Sequence, residues 1–327
     1  MGVQQLDWTT LSPGLTLLGL LLLLYVYFLP SLLAFQRGHR RFWIILGLNI
    51  AIGILQPPLL QRILPVVTTG MLPLELVWVS FLYSTGPGWI ALVIWALRPV
   101  SSPDQRLLAF RQTKLFDTLA ALPLVVWFAF SAISLRGNLV HDGTIIVGGE
   151  ASLLIWLQFL SLLFSILFCL LTVWLLLVRD KPVRRIAGAL PRICAVSGTF
   201  LGVGMLNLPV AELSLPVQGL CFVLTATGSA ASFFVLSKLG KSFSIVPEAR
   251  RLVTSGPYGW ARHPLYAAEI ITVLGLIVQY VQPWAVLLGV SVIALQVTRS
   301  IFEERVLTDA FPEYVDYRAR VKRFGII

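Results

Sequence analysis

The chain has 327 residues, 57% of them hydrophobic and only 12% charged, with a mean hydropathy of +0.86. That much apolar surface excludes a water-soluble globular protein of this size and points to an all-α, polytopic transmembrane helical bundle. The formal net charge of +10 does not mark a nucleic-acid binder, because no basic stripe with interleaved aromatics lies outside the short loops.

In chain order, about nine runs are long enough to span a bilayer, which needs roughly 20 apolar residues: 11–35, 42–60, 71–97, 115–135, 151–178, 193–211, 216–237, 265–281 and 284–301. Lys and Arg collect in cytoplasmic loops. With the N-terminus outside, the inner segments are 36–41, 98–114, 179–192, 238–264 and the tail from Arg299. They hold 23 of the 25 basic residues and leave only Arg62 and Arg136 outside. The expected topology is N-out, C-in, and the localisation a bacterial inner or plasma membrane. The N-terminus lacks the cationic start of a cleaved signal peptide, so the first run is read as a retained span. Cys169, Cys194 and Cys221 lie in apolar runs and predict neither a disulfide framework nor a metal site. His39, His141 and His263 are expected on separate loops, so no histidine metal cluster is expected.

Residues 1–237 read as a transmembrane scaffold of about seven spans. Glu75, Asn49, Gln56, Gln158, Asn207 and Glu212 interrupt it and are read as structural glue or interfacial groups. Gly198 to Gly204, "GTFLGVG", has small residues four apart, which suits close helix packing in lipid. Its Gly-Val-Gly follows no strand and is not a nucleotide loop.

Residues 238–327 differ. Lys238 to His263 is a loop of about 26 residues, long enough to fold over neighbouring helix mouths. Gly256-Pro257 marks a turn, and Pro264 suits the first position of the eighth span. Arg262 and His263 then sit at a helix N-terminus, whose free amides and partial positive charge favour a carboxylate or phosphate. Spans eight and nine form a tight hairpin, so loop and tail meet on one side. Arg299 and Glu303 share a helix face, Glu304 follows, and Tyr314 and Tyr317 share a face further on. Each feature alone has a plainer reading: a solvated face, a helix cap, or interfacial anchoring. Glu269 resists it, because it lies more than one turn into an apolar run and needs a partner, for which Arg262 is the expected one, or a wet cavity.

The pattern Ser255-Gly256-Pro257-Tyr258, Arg262-His263-Pro264-Leu265-Tyr266, a hairpin, then Glu303-Glu304, Leu307, Phe311, Tyr314, Tyr317 and a basic end resembles the isoprenylcysteine carboxyl methyltransferase family. That family is related to the phospholipid N-methyltransferases. The likeness covers about residues 238–324, the region expected to be catalytic. It departs at Ala268, where the family often has Gly, at Phe311-Pro312 in place of Phe-Gly, and at Gly325 in place of a terminal Pro.

The resemblance implies an integral-membrane enzyme that uses S-adenosylmethionine to methylate a lipophilic acceptor at the cytoplasmic face. A carboxylate oxygen is the first expectation and an amine the second. It assigns Gly256, Tyr258, His263, Pro264 and Tyr266 to one cofactor wall and Glu303 with Glu304 to the other. Arg299, Glu303 and Arg262 are the implied catalytic side chains, and Arg299, Glu269 and Tyr314 face the acceptor. Expected partners are the acceptor and membrane lipids; no metal or nucleic acid is expected. Two alternatives stand beside this reading: an NADPH-dependent membrane sterol-type reductase, for which Arg250 and Arg251 would bind the extra phosphate, and a non-enzymatic transporter or scaffold.

Overall fold

The computed structural model describes residues 27–51, 86–98, 100, 102–186, 190–205, 208–280 and 282–325. Glu75, Gln56 and Asn207, most of the expected spans 11–35 and 71–97, and the second half of 42–60 lie outside the described residues. The chain divides into two compact units, with Leu18–Asp117 in one and Thr118–Ile327 in the other.

The first unit contains helices α1 (Leu29–Gln36), α2 (Phe42–Ala51), α3 (Gly86–Leu97) and α4 (Gln105–Arg111). Its core gathers Ala34, Phe35, Ile45, Leu92, Ala96 and Leu107. Asp104 caps α4 by accepting from the Arg106 amide at 2.9 Å, which satisfies one of the orphan donors of a helix start. Asn49, read as glue, is buried and donates to the Tyr27 carbonyl and the Ser31 hydroxyl.

The second unit contains α5 (Lys114–Val147) from Thr118 onward, α6 (Leu153–Val178), α7 (Leu190–Met205), α8 (Leu215–Leu239), α9 (Pro264–Gln279), α10 (Trp284–Ala310) and α11 (Tyr314–Arg320). Among the described residues four helices are long and apolar enough to cross a membrane: α5, α6, α8 and α10. Ile133, Trp174, Leu215 and Val290 on these helices are exposed, as lipid-facing side chains would be. By contrast, α7 and α9 have 16 residues each, about 24 Å of helix against a hydrocarbon core of about 30 Å.

Two expectations change here. The fourth expected span does not stop at 135: α5 continues through Arg136 and His141 to Val147, so His141 is helical rather than in a loop. Polar residues are compatible with helix, and it is Gly149, at φ +78°, that ends it by taking the left-handed conformation open to glycine. The long loop after α8 is also not free coil. Its strand β2 (Glu248–Ala249) pairs antiparallel with β1 (Arg184–Arg185), Arg184 opposite Ala249, and Arg185 and Arg250 both reach the Glu248 carboxylate, at 3.2 and 2.6 Å.

Glycines bring the helices together. A Cβ on Gly228 of α8 would come within 2.5 Å of the Thr272 amide and 2.9 Å of the Ala268 carbonyl on α9. One on Gly275 of α9 would meet the Cys221 carbonyl of α8 at 3.0 Å. Gly198, from the small-residue run, lies against Leu295 and Arg299 of α10. Across α6 and α8, Ser161 bonds Thr225 at 3.0 Å and Ser165 bonds Ser229 at 3.2 Å, the side-chain hydrogen bonding expected between helices in lipid.

Candidate active site

A cavity of about 340 Å³ opens inside the second unit. Part of its lining is apolar or hydroxyl-bearing, with Phe128 of α5, Phe168 of α6, Thr199 of α7 and Ser229 of α8, and part is charged, supplied by the loop before α9, the start of α9 and the second half of α10, with Tyr314 and Tyr317 of α11 beside it.

The charged part is organised by two neighbouring carboxylates with different surroundings. Glu304 is 3% exposed. Its Oε1 accepts from Arg262 Nε at 3.0 Å and Arg323 Nε at 3.0 Å, and its Oε2 from Arg323 Nη2 at 2.9 Å. Arg262 also donates to the carbonyls of Arg318 and Val321, both at 2.8 Å. The backbone amides of Arg262 and His263 donate to the carbonyls of Lys322 and Arg323, so the tail is laced to the loop and uses two of the donors expected at the helix mouth. The expected Arg262–Glu269 pair does not form. Arg262 turns to Glu304, and Glu269 instead accepts from the Gln296 side chain.

Glu303 faces the cavity. Its Oε1 accepts from the Tyr266 hydroxyl at 2.5 Å. His263 lies between the two carboxylates, Nδ1 at 3.5 Å from Glu303 and Nε2 at 3.2 Å from Glu304. Burial works against a charged imidazole, but hydrogen bonds and charge from Glu303 and Glu304 outweigh it and raise the His263 pKa. Protonated, both ring nitrogens donate. The His263 ring stacks on Tyr266 at 5.6 Å, and the Arg299 guanidinium lies over the Tyr266 ring at 5.0 Å, a cation–π contact. Tyr317 donates to the Tyr258 carbonyl at 2.6 Å; burial pushes its phenol up to about 12. The Tyr314 hydroxyl is buried with no hydrogen-bond partner among the described residues.

Of the residues singled out in the sequence, Tyr258, Arg262, His263, Tyr266, Glu269, Arg299, Glu303, Tyr314 and Tyr317 line this one cavity. Gly256, Pro264 and Glu304 stand behind it: Gly256 turns the loop at φ +62°, Pro264 opens α9, and Glu304 ties loop to tail. Arg250 and Arg251 also reach the lining, but Arg250 is buried against Glu248 and the Asp180 carbonyl. Sequence reasoning missed Gln296, which is 5% exposed and accepts from Arg299 Nη1 at 2.8 Å. Its signal was a lone amide in an apolar run one turn before Arg299. It also missed Phe128, Phe168 and the serines, which look like ordinary span residues.

Known proteins match the chain in parts. The family model for phospholipid methyltransferases matches residues 214–314, from the start of α8 through α10, and that for superinfection immunity proteins matches residues 26–55. The chain is similar to the cobalt-zinc-cadmium resistance protein CzcN of Cupriavidus metallidurans, 41% identical over 76 residues, covering 22% of this chain and 34% of the relative. It is also similar to the nickel-cobalt-cadmium resistance protein NccN of Alcaligenes xylosoxydans xylosoxydans, 35% identical over 80 residues, covering 24% of this chain and 37% of the relative. These matches span about a third of each curated relative. No solved structure matches the chain.

Proposed function

We propose that this protein is an integral-membrane, S-adenosylmethionine-dependent methyltransferase of the isoprenylcysteine carboxyl methyltransferase type. On this reading it is N-out and C-in, works at the cytoplasmic face, and acts on a lipophilic acceptor. The observation that carries the reading is a single cavity lined both by the charged and polar Tyr266, Arg299 and Glu303 and by the apolar Phe128 and Phe168, its charged residues Glu269, Arg299 and Glu303 falling in the stretch that matches the phospholipid methyltransferase family model. A water-borne charged cofactor and a lipid-borne acceptor need such a meeting place.

The residues fit the cofactor. Glu303 offers a carboxylate to hydroxyl or amino groups, and Tyr314 has a buried hydroxyl with no partner among the described residues. Among the described residues Arg299 hydrogen-bonds neutral groups, Gln296 and the Ile245 carbonyl, and is available to a carboxylate. When bound, S-adenosylmethionine supplies an electrophilic methyl group on a positively charged sulfur.

The protein's own contribution is orientation and exclusion of water. Arg299 and the Tyr266 ring hold the polar end of a ligand, and the loop–tail closure through Glu304 shields it. A carboxylate acceptor is already nucleophilic and needs no base. For an amine acceptor, Glu303 and His263 are the groups in reach to hold the released proton. NADPH binding by a reductase would draw on Arg251, and the names of the two curated relatives keep a role in metal resistance as a second reading.

The test is methyl transfer from radiolabelled S-adenosylmethionine into lipid-extractable material by the purified protein. Incorporation that falls at least tenfold in Glu303→Gln supports the reading. No incorporation, with saturable NADPH binding, replaces it by the reductase.

A further inference from the structure

Glu269 on α9 and Arg299 on α10 carry opposite charges in the same cavity wall, yet they do not pair directly. Gln296 stands between them. Its Nε2 donates to Glu269 Oε2, and its Oε1 accepts from Arg299 Nη1 at 2.8 Å. Gln296 and Arg299 are one turn apart on α10 and share a face. Arg299 Nη2 goes to the Ile245 carbonyl at 2.9 Å, and its Nε, buried, has no acceptor among the described residues. Among the described residues neither Glu269 nor Arg299 has an oppositely charged partner at ion-pair distance.

A carboxylate and a guanidinium removed from bulk water each call for a counter-charge. Here the protein gives both a neutral amide and fixes their separation by it. A ligand complementary to this arrangement carries an ammonium and a carboxylate close together. We infer that Glu269, Gln296 and Arg299 form a subsite for an α-amino-acid group, with the ammonium on Glu269 and the carboxylate on Arg299. Two sources carry that chemistry: the methionine end of S-adenosylmethionine, in which case the inference rests on the methyl-transfer reading, or an amino-acid headgroup on a lipid. Gln296 is a positioning residue that keeps the two charged groups from collapsing onto each other.

The experiment is titration of the full-length, detergent-purified protein with four probes. These are S-adenosylhomocysteine, its analogue lacking the amino group, its analogue lacking the carboxylate, and lysophosphatidylserine. Each is tested against wild type, Glu269→Gln and Arg299→Gln. If the cofactor is the source, Glu269→Gln weakens S-adenosylhomocysteine at least tenfold but leaves the deaminated analogue within twofold of its wild-type affinity. Arg299→Gln does the same with the decarboxylated analogue spared. The spared analogue doubles as proof that each variant is folded. If a lipid headgroup is the source, both variants weaken lysophosphatidylserine at least tenfold and leave S-adenosylhomocysteine unchanged. The inference is overturned if neither variant weakens either ligand, if both variants weaken all probes alike, or if wild type binds neither. A wild type that ignores S-adenosylhomocysteine but binds lysophosphatidylserine sinks the methyl-transfer reading alone, and the variants then decide the subsite.

Discussion

Two contacts hold the cavity, and they do so by opposite means. Between α8 and α9 the contact is backbone-close and uncharged: Gly228 and Gly275 let each helix approach the other's main chain. Between loop and tail it is ionic: one buried carboxylate, Glu304, gathers Arg262, His263 and Arg323. Where lipid is the solvent, apolar burial gives helices little reason to associate, and close packing of small residues does the work. Between loop and tail, chain segments with no shared helix need charge-assisted hydrogen bonds to be fixed in place. The charged lining therefore depends on a few ion pairs, and the helix–helix contact on shape.

That contrast can be broken at either contact. The largest effect is expected from Glu304→Gln, which leaves Arg262 and Arg323 without their counter-charge; losing one member of a buried pair costs about 3–5 kcal/mol. Thermal melts in detergent should show a large drop in midpoint, with the tail newly open to proteolysis. Next comes Gly228→Ala, whose Cβ would press on the Thr272 amide and the Ala268 carbonyl; backbone cannot swing away, and overpacking of this kind costs about 1–3 kcal/mol. The tail should stay protected in that variant, which separates the two contacts. A smaller effect concerns pH. The folded His263 pKa is raised, so its contribution is complete below the ordinary imidazole value of about 6.5 and is lost as pH rises through the higher folded value. Wild type should therefore lose more thermal stability than His263→Asn between pH 6 and pH 9. Equal slopes would remove His263 from the clamp. Least of all, Arg318→Ala removes an exposed partner 3.9 Å from Glu304 and should shift stability by about 0–1 kcal/mol.

The charged lining was largely legible in the sequence because its residues are out of place in apolar runs. Arg299, Glu303 and Glu304 on one helix, and Arg262 with His263 at the start of another, announce themselves by cost: ionisable groups there need partners. Which partner each takes was not legible. Arg262 was expected on Glu269 by nearness in sequence, but Arg262 sits at the N-terminus of α9 among tail carbonyls, and Glu269 lies further in, beside α10. The ribbon of β1 and β2 left no trace either, since two-residue strands are too short for alternation to register. In the apolar lining, Ser165 and Ser229 are ordinary span residues until two helices bring them to 3.2 Å. The end of α5 was not legible, since the apolar run stops at 135 while the helix runs on through Arg136 and ends at Gly149.

Whether the charged part of the cavity receives an S-adenosyl compound, as proposed, is decided by calorimetric titration of the detergent-purified protein with S-adenosylhomocysteine, beside Glu303→Gln and Arg318→Ala. Wild type and Arg318→Ala should show saturable one-to-one binding, and Glu303→Gln, which loses a carboxylate lining the cavity, should bind at least tenfold more weakly. Folded wild type that gives no heat and no saturation would rule the proposal out.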